Sequence, residues 1–139
     1  MATNTAGHVA RLLPFQAVHY LKMTVNYNDT NISTGIPFAA YLPGGAQILF
    51  TTVNVLTAFN AATTNVLTVG QNATSYNDIV NAGDVNEGAT GSAMVLRGAD
   101  LDLTAADALP YIKYAQTGTA ATAGKAVIVI AYAPSHSTP

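Results

Sequence analysis

Gly118 to Lys125 (GTAATAGK) is the stretch of this chain that most nearly has the make-up of a phosphate-binding loop. Such a loop needs four residues between its glycines and a Ser or Thr after the lysine to hold magnesium. It also needs a helix N-terminus to aim backbone N–H groups at phosphate. Here five residues separate Gly118 from Gly124, Ala126 follows the lysine, and the segment runs into the β-type sequence AVIVIAYA. A hairpin loop is the better reading, and no cofactor is assigned.

The other reactive side chains are dispersed. His8, His19 and His136 form no HxH or HExxH spacing, and the two outer ones fall in terminal segments. Asp84 and Glu87 share one loop (GDVNEG), and Asp100 and Asp102 share another (GADLDL). Calcium takes about six to eight oxygens, and the DxDxDG spacing of a dedicated loop is absent. Strand alternation would put Asp100 and Asp102 on one solvent face, so all four acids read as solvated or capping groups. A glycosidase carboxylate pair would lack a Trp platform, because the chain has no Trp. No GxSxG stretch supports a nucleophilic serine. No catalytic, cofactor-binding or metal residue is therefore assigned, and the chain is not expected to be an enzyme. The Asn-x-Ser/Thr matches at Asn28, Asn31 and Asn72 are chance matches in an Asn- and Thr-rich chain.

Composition carries more information. Only 9% of the 139 residues are charged while 50% are apolar; an ordinary soluble domain has about 25% charged residues. Charge keeps a monomer soluble and blunts its strand edges. A folded chain so poor in charge is expected to have much of its outside covered by other protein. The net charge is −2, and the five basic residues Arg11, Lys22, Arg97, Lys113 and Lys125 are scattered, so no nucleic acid partner is expected. The absence of Cys removes disulfides and thiolate chemistry. The start MATNTAGH lacks the basic and apolar regions of a secretory signal. No apolar run approaches the roughly 18 residues of a membrane span. The chain is expected to be made in a cytoplasm, with no membrane partner. Seven tyrosines supply most of the aromatic content, a residue type enriched at interfaces.

The elements that must position these groups are strands. Phe15 to Tyr27 alternates with its odd positions, His19 included, facing inward. Ile36 to Leu42 predicts a short strand that Pro37 confines to an edge, and Pro43-Gly44-Gly45 a turn. Ala46 to Thr57 predicts a long strand whose apolar phase changes, with a bulge near Thr51-Thr52. Strands are also expected at Asn65 to Val69, Ser92 to Arg97, around Leu101 and Leu103, Tyr111 to Gln116, and Lys125 to Tyr132. Residues 71–91 read as loop, with Tyr76 to Asn81 a short strand or helical turn, and Ala105 to Leu109 as a helical turn. Residues 1–13 are expected to be an N-terminal arm, 14–133 one β-sandwich domain, and 134–139 a tail. Seven to nine short strands with no useful helix suit an all-β antiparallel sandwich. A jelly roll is the first choice. An immunoglobulin-like sandwich comes second, because its Trp and Cys pair are missing.

Three stretches carry a family resemblance: LPGGA (42–46) leading into Ile48-Leu49-Phe50, TAFNAATTNVLTVG (57–70), and YIKYAQTGTAATAG (111–124). Over residues 36–133 the chain resembles small virion proteins of tailed bacteriophages. Its size and composition are similar to those of podophage capsid cement, or decoration, proteins. The resemblance implies a jelly-roll structural protein on the outer capsid surface of an HK97-type shell. It would form a homodimer or homotrimer and clamp neighbouring capsomers, with the major capsid protein and itself as partners. It carries over no contact residue. A receptor- or carbohydrate-binding virion module, in a head fibre or tail, is the alternative.

Overall fold

The computed structural model describes residues 18–101 and 106–133. The arm at 1–13, the tail at 134–139, His8, His136, Asp102 and Leu103 lie outside them. The chain is all-β, with seven strands among the described residues: β1 (His19–Asn26), β2 (Ile36–Pro37), β3 (Gln47–Thr57), β4 (Thr64–Gly70), β5 (Gly91–Val95), β6 (Tyr111–Thr117) and β7 (Lys125–Ala133). One 3-10 turn, Arg97–Asp100, follows β5.

Two antiparallel sheets enclose the core. One has the order β1-β7-β3-β5, the other β2-β6-β4. The first and last strands pair over their full length, from His19 opposite Tyr132 to Asn26 opposite Lys125. β7 therefore lies between β1 and β3, and its β-branched sequence suits a central strand. Val25, Val53, Val55, Ile128 and Ile130 of one sheet meet Leu67, Val69, Ile112 and Tyr114 of the other, all nearly or fully buried. Each such apolar side chain contributes about 1.5–3 kcal/mol by leaving water.

Local chemistry explains the ends of the elements. The Ala46 N–H donates to the Pro43 carbonyl at 3.0 Å, with Gly45 at φ +84°, the left-handed position of a type II turn. β2 lies at a sheet edge, as Pro37 predicts, but it ends at Pro37 and does not run on to Leu42 as expected. Beyond those residues the same edge of β6 is completed from loops. Tyr114 N–H donates to Ile32 O, and Phe38 N–H to Pro110 O.

Several expectations need correction. β3 shifts register against β7 between Ile48 and Phe50 and again between Val55 and Thr57, on either side of Thr51-Thr52 and not at it. Phe50 turns to the outer face and Thr51 takes the buried position, so the phase changes earlier than the apolar pattern suggests. Ala108 is extended, not helical: it exchanges both backbone hydrogen bonds with Leu42. Pro110 disfavours helix at the residue before it. Leu101 follows the 3-10 turn and lies in no strand. The loop between β6 and β7 is not a hairpin, because those strands belong to different sheets; it arches over one end of the sandwich. The odd residues of β1 do face inward, with Leu21 and Met23 half-buried and Val25 fully buried. His19, at the strand's first position, is nevertheless exposed, its ring centroid 5.7 Å from that of Tyr132.

Candidate functional site

The former phosphate-loop candidate is closed by side chains from elsewhere. Asn60 Oδ1 accepts the N–H groups of Thr122 and Ala123 at 2.8 and 3.0 Å, and Gln116 Oε1 accepts that of Ala121 at 2.8 Å. The amides that would cradle an anion are already bonded within the fold. Gly124 sits at φ +152°, and a Cβ there would run into the Phe59 ring. That ring packs 4.7 Å from Tyr114. The arch is thus a packing device.

Asp84, Glu87 and Asp100, the candidate acids among the described residues, take different places in the fold. Arg97 grips Asp84 with two hydrogen bonds, Nε to Oδ2 at 3.0 Å and an Nη to Oδ1 at 2.9 Å. Asp84 also accepts the Asn81 N–H at 2.8 Å. Hydrogen bonding from Arg97, with help from Asn81, holds the Asp84 carboxyl below its ordinary range. Glu87 departs from the solvated reading altogether. It is buried, and Oε1 accepts the Leu67 N–H at 2.7 Å. Asp100, exposed, ends the 3-10 turn. Among the described residues no three His, Asp or Glu side chains gather in a way that could hold a metal.

Glu87 has a structural task that sequence reasoning missed. β4 is an edge strand whose outer N–H groups need partners. Val69 exchanges backbone hydrogen bonds with Val80, and two residues earlier the Glu87 carboxylate takes the N–H of Leu67. Loop 79–87 therefore covers the β4 edge. Nearby, Tyr114 donates to Asn65 Oδ1 at 2.6 Å. Burial, then the Glu87 charge, raises its phenol above the ordinary value.

Two shallow clefts lie along this side. One of about 440 Å³ is lined by loop 83–91 with Ser92 and Ala93. The other, about 430 Å³, has Met94 and Leu96 beside Arg97, Asp84 and Asp100. Neither brings together a nucleophile and a base.

The outer face of the four-stranded sheet is more distinctive. Register places Tyr20, Ala131 and Phe50 in one row, Lys22, Val129, Thr52 and Met94 in the next, and Thr24, Val127, Asn54 and Ser92 in a third. Lys22 is the one charge in those rows. Tyr20 at one edge and Met94 at the other are 60% and 65% exposed, and Leu96, two residues after Met94, is 59% exposed. A neutral, partly apolar sheet face of this kind suits contact with protein better than contact with water. Its signal in the sequence is the low charge of the strands that build it.

No family model matches the chain, and no curated protein matches it. Among solved structures it is similar to a chain of the Cyanophage Pam1 capsid asymmetric unit. The TM-score is 0.67 at 23% identity, covering 96% of this chain and 98% of that one. This likeness extends over nearly the whole length of both chains, and at that identity it speaks for a shared fold.

Proposed function

We propose that this chain is a jelly-roll structural protein of a bacteriophage capsid, which binds the outside of the icosahedral shell and clamps neighbouring capsomers. The observation that carries the reading is the near full-length likeness to a chain of a phage capsid asymmetric unit. The charge-poor outer sheet face supports it. The jelly-roll reading rests on nested pairing. With the Val80 segment counted as a strand, the first pairs with the last, the second with the seventh, the third with the sixth and the fourth with the fifth. A long hairpin rolled into two sheets has this pattern.

The role is mechanical and involves no catalysis. A protein that binds the assembled lattice and not its separated subunits stabilises the lattice by its binding free energy. Contacts repeated over a shell then add through avidity. The partners are the major capsid protein and further copies of this chain, at the virion's outer surface.

The test is copy number per particle on quantitative gels of purified virions, together with particle survival under heat or chelator with and without the protein. Hundreds of copies and a fragile particle in its absence are expected. A few copies, or an equally robust particle that no longer adsorbs to its host, would replace this reading with the receptor-binding one.

A further inference from the structure

We infer that the free protein self-associates through the open edge of β1, pairing antiparallel with β1 of a second copy about a two-fold axis. The inference concerns the isolated chain and stands whether or not it decorates a shell.

The edges of the two sheets are unevenly protected. An unpaired edge strand is a template for another strand unless something blunts it. The three-stranded sheet is blunted on both sides. β2 is two residues long and contains Pro37, while β4 is covered by Val80 and the Glu87 carboxylate. In the four-stranded sheet β5 is short, five residues. β1 has eight residues with no Pro, no Gly and no register shift against β7. Among the described residues, no strand pairs with its outer edge. Beside that edge Leu21 and Met23 are only half-buried, and Tyr20 is exposed.

A second copy is the occupant that the residues favour, and they also select the register. Residues directly opposite in an antiparallel pair share a face, so only alignments that keep odd with odd are allowed. Centring the axis on Lys22 would oppose two ammonium groups, which is unfavourable. Centring it on Met23 sets Lys22 against Thr24 and Tyr20 against Asn26. Centring it on Leu21 sets Tyr20 against the second copy's Lys22, a cation beside an aromatic ring, and pairs the whole stretch from Val18 to Thr24. This register also joins two half-buried leucines across the axis and so extends the core over the seam. It continues the neutral outer face from one copy to the next.

The chain's lack of Cys makes the test clean. Opposed Cα atoms in an antiparallel pair lie about 4.5–5.5 Å apart, within the roughly 4.4–6.8 Å that a disulfide spans. Leu21→Cys should therefore oxidise to a covalent dimer. In this register the two copies of residue 22 lie diagonally, about 7–8 Å apart. Those of residue 23 are about 13 Å apart. Lys22→Cys and Met23→Cys should therefore stay largely uncrosslinked. The unsubstituted protein should sediment as a dimer, and hydrogen exchange of its Tyr20, Lys22 and Thr24 amides, which face away from β7, should slow as protein concentration rises. The exchange measurement needs no variant, so it still decides the matter if Leu21→Cys folds poorly. A monomer or trimer by sedimentation, crosslinking at residue 22 or 23 in place of 21, or exchange in β1 that ignores concentration would each overturn the proposal.

Discussion

The Glu87 carboxylate accepts the main-chain N–H of Leu67 at 2.7 Å, twenty residues away in sequence and buried from solvent. A side chain here takes the place of a neighbouring strand's carbonyl. A second contact holds the same residue, whose carbonyl accepts the Phe59 N–H at 2.9 Å. Removing the carboxylate by Glu87→Ala would leave a buried amide without a partner, at a cost of about 1–3 kcal/mol. Glu87→Gln keeps an acceptor oxygen and should cost less. Urea denaturation of the two variants is the check; equal stabilities would mean that the Leu67 bond carries no weight.

Thr51 presents the opposite case. It is fully buried in β3, and its Oγ1 has no hydrogen-bond partner. Replacing it with Val keeps the shape and removes an unsatisfied polar atom. Thr51→Val is expected to stabilise the fold by about 1 kcal/mol, read as a higher urea midpoint with an unchanged slope.

Tyr114 contributes at the alkaline end. Its phenol titrates above the ordinary value because of burial and the charge of Glu87. In the unfolded chain it ionises near its ordinary value, about 10. Between that pH and the higher folded value, the unfolded state has released a proton that the folded state still holds. The contribution is thus intact below about pH 10 and falls as pH rises through the folded value. Stability against pH should decline less steeply in this range for Tyr114→Phe, although that variant starts lower through loss of the Asn65 bond. Parallel declines would contradict the assignment.

Asp84 acts at the acid end. Its carboxyl is held below the ordinary value, first by the Arg97 hydrogen bonds. The folded state therefore resists protonation. The contribution is present above the ordinary carboxylate range, about pH 4, and disappears as pH falls through the lowered folded value. The pair is partly exposed, so the effect should be small and reduced by salt. Asp84→Asn should flatten the acid limb of a melting-temperature profile at low ionic strength. An unchanged limb would show that the pair is too well solvated to matter.

Local pattern alone determined a good deal of this protein. The continuous apolar run in Lys125 to Tyr132 and the alternation in Tyr111 to Gln116 mark β7 and β6. Pro43-Gly44-Gly45 marks the type II turn, and Pro37 a stunted edge strand. Each depends on backbone preferences within a few residues, which composition and spacing express directly. The charge deficit likewise announced the neutral outer face of the four-stranded sheet. Tertiary structure decided which strands share a sheet. Gly118 to Gly124 has the make-up of a hairpin loop, yet β6 and β7 part to opposite sheets, β7 lying between β1 and β3 and β6 between β2 and β4. It also decided the fate of the polar residues. Glu87 bonds Leu67, Arg97 grips Asp84, and Asn60 holds amides 62 and 63 residues away. A carboxylate or amide side chain has the same composition whether it faces water or a distant backbone N–H. Only the packing that brings donor and acceptor within 3 Å, and excludes water there, tells the two apart.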